Sequence, residues 1–184
     1  SRVEPGSTGA AHLSYMRARY WPLQHRAGLP LDAALASPPF QRGRFSCQRH
    51  CYVVTPVTAR RQRLVAVAAN AAEMIRWMQA SDHEGRTRSM AWVVTPDHVH
   101  WMFTLRSTTL ATIVRTTKSR AAKALNQRNG TQGAIWQPGY YDQLQHEERQ
   151  WLAEANYILA NPVRAGLTTA VGEYPFAWCR WPTG

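Results

Sequence analysis

The stretch VVTPDHVHWMFTL, residues 93–105, sets two strand-like runs around a Pro-Asp turn. Both flanks are rich in β-branched and aromatic residues, the composition of a pleated, half-buried surface. The link between them is too short for a crossover, so the two runs form an antiparallel hairpin. Side chains alternate faces along a strand. Val99, Trp101, Phe103 and Leu105 therefore share one face, and His98, His100 and Met102 share the other. The first set reads as core packed against helices. The second places two imidazoles side by side, at a separation that can chelate one divalent ion. A bare His-x-His is a weak signal, and two ordinary histidines on a sheet face would read the same way.

The neighbouring sequence supplies the remaining elements. CYVVTPVT, from Cys51, is a strand candidate. RLVAVAANAAEMIRWMQAS follows without Pro or Gly, and its Leu64, Val67, Ala71, Met74, Ile75 and Met78 recur at helical spacing. DHEG ends that helix at a glycine. After the hairpin, Thr108 and Thr109 offer N-caps for a helix stopped near Gly130. AIWQPGYYDQLQ has strand composition around a Pro-Gly turn, and HEERQWLAEANYILANPV is a helix, acidic at its start. The order strand, helix, strand, strand, helix, strand, helix predicts an α+β, ferredoxin-like fold with an antiparallel sheet. That domain is expected over residues 45–184. Residues 1–44, with Pro22, Pro30, Pro38 and Pro39, read as a basic N-terminal extension, partly disordered or DNA-contacting.

Charge narrows the class of partner. Among 184 residues, 22 Lys and Arg stand against 11 Asp and Glu, for a net charge of +11 and a pI near 10.4. Such an excess favours a polyanion, nucleic acid before a membrane surface. No apolar run reaches spanning length. Cys47, Cys51 and Cys179 are too few and unevenly placed for a disulfide framework, and Cys47, His50 and Cys51 lack the second ligand pair of a zinc finger. They read as thiols of a cytosolic protein.

On the last helix, Tyr157 and Asn161 lie four residues apart and so on one helical face, with Glu154 three residues before Tyr157. Trp151, Leu152, Ala155, Ile158 and Leu159 form the face expected to be buried. Taken alone, Tyr157 reads equally as a boundary aromatic, and Asn161 as a helix cap before Pro162.

The combination WVVTPDHVHWMF, IWQPGYYDQ and YILANPVRAGL resembles the REP-associated tyrosine transposases, bacterial relatives of the single-tyrosine transposases among the HUH endonucleases. The resemblance runs from Phe45 to Trp178 in matching order. It implies that His98 and His100 are the HUH pair, that Asn161 completes the metal site, and that Tyr157 is the nucleophile. Glu154 is the second choice for third ligand. It further implies cleavage of single-stranded DNA beside a REP hairpin with Mg²⁺ or Mn²⁺, through a 5′-phosphotyrosine, by a monomer in the bacterial cytoplasm and nucleoid. The chemistry is coherent. A phenol, with a reference pKa of about 10, is a poor nucleophile at neutral pH. A divalent ion held by neutral ligands keeps the charge needed to polarise a phosphate. Tyr140 and Tyr141 lack a polar partner one helical turn away and read as sheet or base-stacking residues.

Phosphate contacts are expected from Arg115, Lys118 and Lys123 on the second long helix, and from Arg60, Arg61 and Arg63 after the first strand. Arg120 and Lys123 read as readily as parts of a solvated helix face. In the extension, Arg17, Arg19, Tyr20, Trp21 and Arg26 interleave charge and rings suited to unpaired bases. Other readings are a hairpin-DNA-binding protein of the same fold that does not cut, a replication-initiator or relaxase-type HUH nuclease, and an RNA-binding ferredoxin-like domain. Initiators and relaxases commonly carry a third histidine where Asn161 stands here. An RNA binder would need aromatics on the central strands in a nucleic-acid pattern, whereas Trp101 and Phe103 are assigned to the core.

Overall fold

A computed structural model describes residues 48–182. The expected contacts from Arg17, Arg19, Tyr20, Trp21 and Arg26, the residue-44 boundary and Cys47 lie outside the described residues. The elements are β1 (Cys51–Thr55), α1 (Ala68–His83), β2 (Thr87–Val94), β3 (Val99–Leu105), α2 (Leu110–Asn129), β4 (Tyr141–Gln145), α3 (Trp151–Leu159), α4 (Asn161–Arg164) and β5 (Ala177–Cys179). The strands form one five-stranded sheet in the order β4-β1-β3-β2-β5, with every pairing antiparallel. The ferredoxin-like order read from the sequence holds for β1 to β4. The short edge strand β5 was not foreseen, because AWC alone carries too few residues to show a period.

Alternation divides the sheet as expected. Val99, Trp101, Phe103 and Leu105 pack with Tyr52, Val54, Trp92 and Val94 under α1 and α2. Cys51, Val53, Met102 and Val93 face the other way, against Ala155 and Ile158 of α3. A bulge between Ser89 and Ala91 breaks strict alternation in β2. It turns Met90 and Ala91 toward the α3 side together. The same bend lets Ser89 accept a 2.8 Å hydrogen bond from the buried Trp101 indole.

Two helical expectations need correction. Val67 is 55% exposed rather than buried, because it is the extended N-cap of α1 (ψ 121°) between that helix and the 3-10 turn Leu64–Ala66. The break shifts the helical phase, and Asn70 seals it with a bond to the Leu64 carbonyl. Leu152 is 39% exposed, since the α3 surface against the sheet is set by Ala155 and Ile158. Elsewhere the local signals are used as written. Thr109 caps α2 by accepting from the Thr112 N–H at 3.2 Å, and Gly130 ends it with φ +61°. Thr109→Ala is expected to cost about 1 kcal/mol, read as a lowered Tm with the fold unchanged.

Candidate active site

The last turn before β3 and the start of that strand carry the two histidines. His98 stands just outside β3, held by an isolated bridge to Val57, and His100 pairs with Val93 across the hairpin. Their rings meet edge to face with centroids 4.9 Å apart.

Each ring is fixed through Nδ1. His98 Nδ1 lies 2.8 Å from Asp97 Oδ1 and 2.8 Å from Thr95 Oγ1. A carboxylate only accepts, so Nδ1 carries the proton and the neutral ring keeps its lone pair on Nε2. His100 Nδ1 lies 2.9 Å from Thr55 Oγ1, and its Nε2 accepts from the Asn161 side-chain amide at 3.1 Å. Burial, followed by the nearby His98 and Arg164, pushes the His100 pKa down to about 3. The ring is therefore neutral at physiological pH, with its lone pair aimed at Asn161.

These features fit a divalent ion. Histidine ligands normally present one nitrogen and anchor the other on an oxygen, and both rings here are anchored in that way. Asn161 contributes an amide whose oxygen can serve as the third donor. Among the described residues no three His, Cys, Asp or Glu side chains gather as a metal site, so Glu154 does not complete one with the histidines. Burial raises the Glu154 pKa, against the pull of Arg164, and its field reaches the buried Cys51 thiol, which is pushed up to about 12, mainly by burial.

Tyr157 lies one turn before Asn161 and is 54% exposed. The chain stays helical through Ala160 (φ −79°, ψ −7°), and Pro162 sits in the first turn of α4, where its missing N–H costs nothing. Asn161 is thus carried under the sheet while Tyr157 keeps its hydroxyl accessible. Arg164 was not singled out from the sequence. Its guanidinium lies 4.0 Å from the Tyr157 ring centroid, and Nη2 donates to the Tyr157 carbonyl at 2.9 Å. The spacing of seven residues, two helical turns, was the available signal.

The structure uses several expected DNA contacts internally. Arg61 pairs with Asp97 at 3.2 Å, which links the guanidinium through the carboxylate to His98. Burial alone would raise the Asp97 pKa, but His98 and Arg61 together lower it. Arg60 and Arg61 both take positive φ in the turn after β1. Lys118 donates to the carbonyls of Gln137 and Gly139 and so pins the Pro-Gly turn, and burial lowers its pKa. Arg115 and Lys123 are exposed on α2, whereas Arg120 pairs with Glu84. Tyr141 opens β4 opposite Thr55, and Tyr140 packs against the larger core. Asp97→Asn is expected to weaken divalent-ion binding by about 10- to 100-fold with little change in Tm, measured by calorimetric titration.

Known proteins resemble this chain in sequence and in fold. Residues 44–159 match the family model for IS200-like transposases. A REP-associated tyrosine transposase of Escherichia coli (strain K12) is 29% identical over 89 residues, 47% of this chain and 51% of that protein. The chain thus matches about half the length of this curated relative. The structure of a REP-associated tyrosine transposase bound to a REP hairpin shares the fold, with a TM-score of 0.62 at 21% identity over 77% of this chain and 82% of that one. The resemblance read from the motifs is upheld, and the chain belongs to the family of IS200-like transposases.

Proposed function

We propose that this protein is a metal-dependent, single-strand DNA endonuclease and strand transferase that works beside REP-type hairpins through a 5′-phosphotyrosine. The observation that carries the reading is the 3.1 Å contact between Asn161 and His100 Nε2, one helical turn from an accessible Tyr157. A helix that packs for stability alone has no need to bring an amide onto a histidine lone pair beside an exposed tyrosine. The hairpin itself is suggested by the bound DNA of the structural neighbour and by the REP-associated relative.

In this reading His98 Nε2, His100 Nε2 and the Asn161 amide oxygen would hold Mg²⁺ or Mn²⁺, once the amide rotates so that its oxygen replaces the nitrogen that donates to His100 Nε2. The bound ion supplies Lewis-acid stabilisation of the charge that develops on the scissile phosphate. Tyr157 Oη forms a bond to phosphorus as the bond to the 3′-oxygen breaks. The phenol proton passes to solvent, and the 3′-oxygen takes one up. The products are a 5′-phosphotyrosine and a free 3′-hydroxyl, and attack by a 3′-hydroxyl reverses the step and joins strands. Arg164 fixes the tyrosine ring and adds positive charge where the phosphate arrives. Arg115 and Lys123, exposed on α2, and Arg60 remain candidates for phosphate contacts, with Arg17, Arg19 and Trp21 in the N-terminal extension. The division at residues 44 and 45, a monomeric state and action in the bacterial nucleoid belong to the same proposal.

The decisive experiment incubates the protein with a REP-type hairpin carrying a single-stranded flank and Mn²⁺. A covalent adduct on denaturing gels that is lost in Tyr157→Phe supports the reading. Binding without cleavage would favour the hairpin-binding alternative. Arg164→Ala is expected to slow adduct formation by up to about tenfold, the scale of a cation–π contact, with DNA affinity changed far less.

A further inference from the structure

A cavity of about 600 Å³ lies at the opposite end of the sheet face that carries the histidines. It falls within the usual size range of small-ligand pockets. Arg49 enters from the residues before β1, Arg88 from β2, Arg106 from just after β3, and Arg180 from just after β5. Glu148 is the one carboxylate in the lining among the described residues. Among the described residues none of these four guanidinium groups is paired with a carboxylate, although Arg61, Arg76, Arg86, Arg120 and Arg149 all are. The Arg180 side chain donates from Nε to the Ser89 carbonyl at 3.2 Å. All four arginines are exposed. Gathering like charges around one concavity is unfavourable without an anion to receive them.

Two tryptophans also line the cavity, together with Gln48, Met90 and Thr104. Trp181 is half-buried and brings an indole to the cavity. Trp151, the first residue of α3, has its indole Nε1 buried with no hydrogen-bond partner. Guanidinium forks match phosphate oxygens, and indole faces take unstacked bases of any identity. We infer that this cavity binds an unpaired nucleotide of the DNA strand, with its phosphate on the arginines and its base on Trp181.

The inference rests on the nicking reading for its choice of DNA and deepens it with a second anchor on the strand. α3 joins the two places, since Trp151 stands at the cavity and Tyr157 six residues on, about 9 Å along the helix axis. Along β3, Arg106 is six residues beyond His100, about 20 Å. A strand that stays stacked advances about 3.4 Å per nucleotide and an unstacked one more, so these distances place the held nucleotide within about six positions of the cut.

The test measures fluorescence anisotropy of a labelled single-stranded oligonucleotide against the full chain, over a range of salt. Arg88 and Arg106 make no side-chain hydrogen bond or ion pair among the described residues, so their loss leaves the fold intact. The double variant Arg88→Ala/Arg106→Ala is expected to lower affinity and to reduce the slope of log K against log salt by about 1.4. Arg128→Ala, on the far end of α2, is the control for loss of a single positive charge away from the cavity and is expected to change the slope by well under about 0.7, the share of one phosphate contact. Trp181→Ala is expected to lower affinity at least about fivefold with the slope unchanged. Photocrosslinking with 5-iodouracil moved along the strand is expected to label the cavity from one narrow set of positions. Unchanged affinity and slope in the arginine and tryptophan variants would overturn the inference. So would competition by inorganic phosphate without any effect of the variants on the oligonucleotide, or crosslinks that miss the cavity at every position. Absence of a Tyr157 adduct would instead overturn the catalytic reading and leave the binding result standing.

Discussion

Tyr157→Phe is expected to abolish the covalent protein–DNA adduct and to reduce strand cleavage by at least about 10³-fold, the scale on which loss of a covalent nucleophile acts. Only one oxygen is removed. The ring stays against the Arg164 guanidinium at 4.0 Å, so the helix and its packing persist. With the side chain 54% exposed, no buried hydrogen bond is lost, and Tm is expected to be unchanged. DNA affinity is likewise expected to hold, because the phosphate contacts lie on other residues. Retention of the adduct in this variant would move the nucleophile to another tyrosine. Tyr140 and Tyr141 are poor replacements, since one packs on the core and the other is paired in the sheet.

His100→Ala is expected to lower cleavage by about 10²- to 10³-fold at fixed Mn²⁺, the range seen when one preorganised electrostatic contact to a transition state is removed. Raising the Mn²⁺ concentration should recover part of the rate, because the remaining donors still bind the ion, only more weakly. Chelation of the wild-type protein with EDTA should stop cleavage, and added Mn²⁺ should restore it. The variant also strips partners from Thr55 and Asn161, a cost of about 1–3 kcal/mol for part-buried polar groups, so Tm must be followed in parallel. His98→Ala separates the two effects. His98 leans on Asp97 and Thr95 outside the strand, and its loss leaves the His100–Asn161 contact untouched. Cleavage that survives both substitutions and chelation would exclude the metal from the reaction.

The two substitutions probe features that differ in how openly the sequence displays them. The hairpin around Pro96 and Asp97 was legible because alternation along residues 99–105 is strict, and a period of two leaves only two faces to assign. Capping at Thr109 and the stop at Gly130 were legible because they depend on neighbours within one helical turn. Val67 was misread because an apolar residue at helical spacing carries no mark of the turn just before it. The bulge at Ser89 and the edge strand at Ala177 to Cys179 depend on partners far along the chain.

The same division runs through the candidate site. Sequence by itself determined the two histidines on one strand face, Tyr157 and Asn161 one helical turn apart, and the excess of positive charge, because each follows from local periodicity or composition. Only the tertiary structure decided that Asn161 meets His100 across sixty-one residues, that Arg61 serves His98 through Asp97, and that Lys118 is spent on a loop. It alone brought Arg49, Arg88, Arg106 and Arg180 to one cavity. A charged side chain reads the same in sequence whether it faces water, a carboxylate or a ligand. What fixes its role is the antiparallel register, which joins strand ends that lie far apart in the chain.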